Sequence, residues 1–338
     1  MLTINFINIE FNNLDLFVQS MEPWPIEAIG NQAWLDWHIR LQKLNQQAVL
    51  EASTMQEELT KEILISYGKV SPCFVFLVKL LFPYEIPLAN TFGIYMVLYH
   101  EAATVGLLET VLFHEDGAQC ISEVIIDLLH YSIEQLTSLV AILNDGYLGS
   151  ETKNTEGESI LEELERQKRC LQFDISMRCI SIVRYLAEHI ESTGVGASLS
   201  TNIYKTHDLP SLLCHLIQLQ PWRKFDDKGN LLMFNCEKLS LKSFELYDAQ
   251  LWLCFRQLLL EPRLTHYYTI EECRRAAFSK ISDLMLDQIP PLGDLKMFLC
   301  RLAVGDFSSL HNRANGTKNP GCTLIEVVPQ VSGVTLSV

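Results

Sequence analysis

The sequence contains no C-x-x-C pair, although it carries ten cysteines: Cys73, Cys120, Cys170, Cys179, Cys214, Cys236, Cys254, Cys273, Cys300 and Cys322. Zinc ribbons and thioredoxin-type centres rely on that short spacing, so neither is expected. Basic residues are scarce as well. The 26 Lys and Arg against 41 Asp and Glu give a formal net charge of -15, a field that repels phosphate backbones and anionic lipid. The clusters Arg166-Lys168-Arg169, Arg223-Lys224 and Arg274-Arg275 lie among acids, with no aligned stacking aromatics, so they read as solvated faces or local ion pairs. No nucleic-acid partner is expected.

Long apolar runs are missing too. The longest, residues 92–113, is broken by His100, Glu101 and Glu109, and a charge at mid-bilayer costs roughly 2.5–3.5 kcal/mol on insertion scales. It reads as a buried helix, with no membrane span. The start, Met1-Leu2-Thr3-Ile4-Asn5-Phe6, has no basic region or small-residue cleavage site, so no secretory signal is expected. A reducing compartment is expected, and the thiols are expected to pack as small core hydrophobes, as Cys254 does between Leu253 and Phe255. Asn315-Gly316-Thr317 then reads as a turn, not a glycan acceptor.

Catalytic patterns are incomplete wherever they begin. His100-Glu101-Ala102-Ala103-Thr104 resembles a zinc-protease helix, but Thr104 stands where the second histidine is needed. His114-Glu115-Asp116 is read as a helix end facing the dipole or solvent. His207, Asp208 and Ser211 have no nucleophile elbow around them, so Asp208 is assigned to helix capping. Cys214 and His215 are adjacent on a helix and point about 100° apart. Gly194-Val195-Gly196 lacks the third glycine of a phosphate loop. No catalytic, cofactor or metal residue is assigned, and no enzyme is expected.

What is present is helical periodicity with a hydrophobic content of 48%, ample for a large core. Residues 1–143 form an N-terminal helical region. It includes residues 31–65, with Leu41, Leu44, Ala48 and Ala52 on one face, a short apolar segment after Pro72, and stretches 91–113 and 122–143, expected to pack as an antiparallel pair. Residues 144–158 are a polar linker carrying most of the acidic run Glu151 to Glu165. Residues 159–304 continue the helices, opened by a capping box at Ser159 and Glu162 and with a second at Thr269 and Glu272; helical stretches are placed at 246–260, 278–289 and 292–304. Residues 222–234 are the expected short hairpin, and 305–338 an irregular, disordered tail. An apolar residue, proline and paired large apolars recur at Pro72, Pro210 and Pro290, which suggests diverged repeats. The expected fold is all-α: an irregular armadillo/HEAT-like solenoid.

Several blocks carry a family likeness: Gln42-Lys43-Leu44-Asn45-Gln46-Gln47-Ala48-Val49-Leu50, Tyr67-Gly68-Lys69-Val70, Asn90 to Ala102, Leu107-Leu108-Glu109-Thr110-Val111, Thr206-His207-Asp208-Leu209-Pro210, Gln220-Pro221-Trp222 and Leu286-Asp287-Gln288-Ile289-Pro290. In this order they resemble the zinc finger MYND domain-containing protein 10 family, from about Asn13 to Val304. The family ends in a MYND finger holding two zinc ions; nothing after Val304 supplies its spacing, so a truncated or spliced form, or an incomplete gene model, is expected. Leu324 to Val331 keeps a trace of the family's next segment. The resemblance implies a cytoplasmic, non-enzymatic factor for preassembly of inner and outer axonemal dynein arms of motile cilia. It implies as partners a leucine-rich-repeat assembly factor, Hsp90-type chaperones and co-chaperones, and dynein heavy or intermediate chains as clients. It also implies a location in apical cytoplasm and centriolar satellites of multiciliated cells. The alternatives are an armadillo-like adaptor, for example in transcriptional regulation, and a dominant-negative isoform.

Overall fold

The structure, a computed structural model, describes residues 11–22, 24–25, 28–54, 57–71, 91–144, 159–221, 224–225, 231–232, 241–284 and 290–305. The expected segment after Pro72, the polar linker and the tail lie outside these residues. The fold is all-α, as expected. Its helices are α1 (Phe11–Gln19), α2 (Gln32–Thr54), α3 (Leu59–Ser66), α4 (Thr91–Leu112), α5 (Glu115–Cys120), α6 (Ile125–Asn144), α7 (Ile160–Glu188), α8 (Gly196–Thr201), α9 (Leu209–Leu219), α10 (Leu241–Leu259), α11 (Leu264–Tyr267), α12 (Glu272–Ile281) and α13 (Gly293–Ala303). The expected hairpin is a two-residue antiparallel ladder, Lys224 opposite Leu232 and Phe225 opposite Leu231.

Local chemistry accounts for several boundaries. At the start of α7 the Ser159 hydroxyl accepts the Glu162 N–H (3.3 Å), and the Glu162 carboxylate accepts the Ser159 N–H (2.8 Å). The capping box thus forms where it was read, and burying nothing polar it satisfies two orphan donors. Ser159→Ala is expected to cost about 1 kcal/mol in urea unfolding; an unchanged midpoint would show the box to be idle. The second box does not form. Helix α12 starts at Glu272 with Glu271 at its cap position and no side-chain capping bond, while the Thr269 carbonyl accepts from Arg274 (2.8 Å). That helix also ends at Ile281, with a 3-10 turn over Ser282–Leu284, so it lies earlier than the 278–289 read from periodicity. The single helix expected over 31–65 is two, α2 and α3, and Ala52 is exposed, its place on the buried face taken by Glu51.

The helices pack in two connected series. In the first, α2 lies on α4, α4 on α7 and α7 on α10; in the second, α6 lies on α9, α9 on α12 and α12 on α13. Side-chain contacts fix the directions. His38 meets His100 and Asn45 meets Gly106; Glu109 meets Arg178 and Phe113 meets Tyr185; Arg184 meets Gln250. Along the first two pairs both numbers rise together, so α2, α4 and α7 run parallel. Against α7, α6 runs antiparallel: the Gln135 carbonyl accepts from Ser176, and Ser132 lies beside Cys179 further along.

The expectation that 91–113 and 122–143 pack chiefly on each other is therefore corrected, although their directions are antiparallel as expected. The main neighbour of both is α7, whose 29 residues give a rod roughly 43 Å long that reaches each of them. Helices α4 and α6 touch through Tyr131, whose hydroxyl donates to Glu101 (2.9 Å). By length and composition Ile125–Leu143 could cross a bilayer, but Leu128, Leu129, Leu136 and Leu139 along it are core residues. The core is one continuous cluster from Leu14 to Leu302, with Trp34, Trp252, Phe255 and Phe278 as its largest fully buried side chains.

Candidate functional site

The incomplete catalytic patterns turn out to be packing features. His100 is buried on α4, its Nδ1 2.9 Å from Nδ1 of His38 on α2, and the two rings sit against Trp34 and Trp37. Thr104 donates to the His100 carbonyl (2.8 Å), while Glu101, one residue on, turns to α6 and Tyr131. Burial raises the Glu101 carboxyl, with the Tyr131 hydrogen bond and the charge of Lys168 pulling it back. Among the described residues no three His, Cys, Asp or Glu side chains converge on a possible metal position.

His114 does not simply face solvent or a dipole. It occupies the cap position of α5 and its Nε2 lies 2.6 Å from Glu58, tying α5 to the start of α3. Asp208 corrects the capping assignment. Its backbone is left-handed (φ 45, ψ 50), whereas a capping residue needs an extended backbone, and no side-chain capping bond forms. Its carboxylate instead accepts from Tyr268 (2.6 Å) and from Arg274 (2.9 and 3.1 Å), joining α9 to α12. Burial opposes that charge, and the Tyr268 and Arg274 hydrogen bonds outweigh it, so the carboxyl is held below its ordinary value. Ser211 is 3.4 Å from the Tyr268 hydroxyl, and His207 packs edge-on against His130. Cys214 is buried and His215 exposed, as their helical offset requires. The Gly194–Gly196 break is the turn between α7 and α8. Arg275 pairs locally with Glu272 (3.0 Å).

Burial pushes the Cys214 and Cys254 thiols up to about 11 and about 12, and raises Cys179 further. These three behave as core hydrophobes. Cys120, Cys273 and Cys300 are exposed, which corrects the expectation of uniformly buried thiols, and Cys73, Cys236 and Cys322 lie outside the described residues.

The arrangement that sequence reasoning missed crosses the parallel helices. On α4, Gly106 and Glu109 share a face, with Phe113 just past the helix end; on α7, Asp174, Arg178, Ser181 and Tyr185 share one at helical spacing. A Cβ on Gly106 would come within 2.8 Å of Asn45 Oδ1 and 3.1 Å of Arg178 Nη1, so the missing side chain lets groups from α2 and α7 meet above α4. Arg178 donates to Glu109 (2.9 Å) and to Asp174 (3.1 Å). Burial works against its charge, but Asp174 and Glu109 together outweigh that and hold the guanidinium above its ordinary value. Burial raises Glu109, and Arg178 and Ser181 draw it back. Further along, Arg184 bonds Gln250 on α10 (2.9 Å) and Glu188 (2.7 Å) and lies over the Tyr185 ring, against which Phe113 stands edge-on. A glycine inside a helix that tolerates none cheaply was the one available signal of such a close approach.

No family model and no solved structure matches the chain. A curated protein does: over 346 aligned residues it is 34% identical to the zinc finger MYND domain-containing protein 10 homolog of Drosophila melanogaster, covering 97% of this chain and 74% of that protein. The chain belongs to the zinc finger MYND domain-containing protein 10 family. The family likeness read from the sequence is thereby shown over 97% of the chain. The described residues do not fit a zinc finger, since no group of three metal ligands forms among them. The polar ladder across α2, α4, α7 and α10 is interhelical packing, and its hydrogen bonds, ion pairs and ring contacts join those helices to one another.

Proposed function

We propose that this chain is a non-enzymatic scaffold in the cytoplasmic preassembly of the inner and outer dynein arms of motile cilia. The observation that carries the reading is the 34% identity to a zinc finger MYND domain-containing protein 10 homolog over 97% of the chain. The packing supports it. Three parallel helices laid side by side, with antiparallel α6 behind α7, are compatible with the layering of an armadillo/HEAT-like solenoid, a body that offers a long surface without needing a catalytic group. In this reading the body holds dynein heavy or intermediate chains while Hsp90-type chaperones, their co-chaperones and a leucine-rich-repeat assembly factor act on them in the apical cytoplasm.

Affinity purification of the tagged chain from multiciliated cells tests this. Axonemal dynein chains, chaperones and assembly factors are expected in the eluate above a tag-only control. Recovery of none of them would overturn the reading.

A further inference from the structure

We infer that the outward face of α13 is a docking surface for a segment of this same chain, residues 324–328, which lie outside the described residues. Docked there, the segment covers an apolar stripe that the last described helix of the second series leaves open.

Helix α13 buries Leu295, Phe298, Leu299 and Leu302 in the core. At about 100° per residue the opposite side carries Gly293, Met297, Cys300 and Val304. All four are exposed, Met297 by 57% and Val304 by 80%, and a Cβ at Gly293 would meet nothing within 4 Å. The side of a surface helix that faces away from its core is normally charged, and a stacked helical series needs a polar outer face at its end. Here charge is confined to the borders. Lys296 lies on one edge of the stripe and Arg301 on the other, while Asp294, the only acid of α13, is drawn to Arg256 of α10 (3.6 Å). The stripe is thus apolar along its middle and basic at its edges. Residues 324–328, Leu-Ile-Glu-Val-Val, have the complementary composition, four large apolar side chains around the carboxylate of Glu326. They are the first run of neighbouring large apolar residues after α13, and their β-branched members favour an extended backbone. Fully extended they span roughly 17 Å, which matches the roughly 17 Å from Gly293 to Val304 along the helix. Glu326 then lies near the middle of the stripe, where Arg301 offers the opposite charge. The chain leaves α13 at Gly305, whose left-handed backbone (φ 77) ends the helix. Residues 306–323 can extend over roughly 60 Å, ample for a return to the stripe. A tether of this kind holds the segment at an effective concentration on the order of millimolar, which favours it over a second copy in dilute solution.

Two native thiols report on the docking: Cys300 lies within the stripe, and Cys322 stands just before the segment. The purified full chain is alkylated with N-ethylmaleimide, and each cysteine is followed by peptide mass spectrometry. Cys300 is expected to react roughly tenfold faster in Ile325→Asp/Val327→Asp than in the wild type, the ratio set by a covered state that outweighs the open one by that factor. Cys120, exposed on α5, should react alike in both proteins, and buried Cys254 should stay unreactive in both, which marks the variant as folded. Equal Cys300 rates in the two proteins would overturn the docking. So would protection of Cys300 that disappears on dilution of the wild type, because the stripe would then belong to a second copy. Cross-linking of the wild type with a short bismaleimide needs no variant. A link between Cys300 and Cys322 within a single chain is expected, and its absence at the monomer mass would reject the assignment.

Discussion

Replacing Glu51 by alanine is expected to destabilise the protein by roughly 3 kcal/mol or more, the largest effect of any single polar truncation considered above. Glu51 sits on α2 and is 3% exposed. Helix α3 begins without help from its own cap residue, Glu58, which makes no side-chain capping bond. Glu51 supplies it from the neighbouring helix: one oxygen accepts the Thr60 N–H (2.9 Å), and the other accepts from the Thr60 hydroxyl (3.0 Å) and from Gln47 (2.9 Å). A negative charge at a helix start is also favoured by the dipole. Truncation leaves three donors unmet in a region where Thr60 is fully buried, and each unmet donor costs about 1–3 kcal/mol before relaxation. Thermal unfolding should show a Tm lower by about 4 °C. Glu51→Gln, which keeps one carbonyl oxygen for the Thr60 N–H, should lose less. A fall under about 1 kcal/mol for the alanine variant would show that α3 is held by its apolar face alone.

The second large effect is a loss of stability in acid that depends on His38. The two Nδ1 atoms at 2.9 Å allow one hydrogen bond between neutral rings, with one nitrogen donating and the other accepting. Two imidazolium rings cannot share that contact. Burial lowers His38 from 6.5 to about 4, and burial, followed by the charge of His38, lowers His100 well below its ordinary value. With the folded values depressed, the unfolded chain binds more protons. The stability contribution is therefore complete above pH 6.5 and is lost as pH falls from there toward about 4, an amount of about 3 kcal/mol for His38 alone. Glu101 and Glu109 act in the opposite sense. Their raised carboxyls disfavour the fold while ionised and relieve it on acidification, so the wild-type profile is a sum of both. The difference between wild type and His38→Phe isolates the histidine. His38→Phe keeps a ring over Trp34 and should flatten the urea-unfolding profile between pH 6.5 and 4. Parallel profiles for the two proteins would contradict the assignment.

Much of the helical framework could be read from periodicity because each long helix buries a stripe that the sequence spells directly. Leu41 and Leu44 on α2, Ile175, Ile182 and Leu186 on α7 and Leu213, Leu216 and Ile217 on α9 are all core residues. Ser159 and Glu162 were equally legible, since a capping box is decided within four residues. Partnership was not. Nothing within residues 91–143 says that α4 and α6 both prefer α7, because that choice depends on a helix that begins beyond the linker. Asp208 failed for a related reason. Its type and position suit a cap, but a left-handed backbone and an arginine 66 residues away redirect its carboxylate. The polar ladder was invisible for the same cause, its members being spread over Asn45, Glu109, Arg178 and Gln250 on four helices.

The central claim, that a chain of this family prepares dynein arms before they reach the axoneme, is tested most directly on axonemes from multiciliated cells in which the gene for this chain has been removed. Electron tomography should show intact doublet microtubules lacking inner and outer dynein arms, with the arm dyneins depleted from the axonemal fraction. Axonemes with both sets of arms in place and normally abundant would contradict the account.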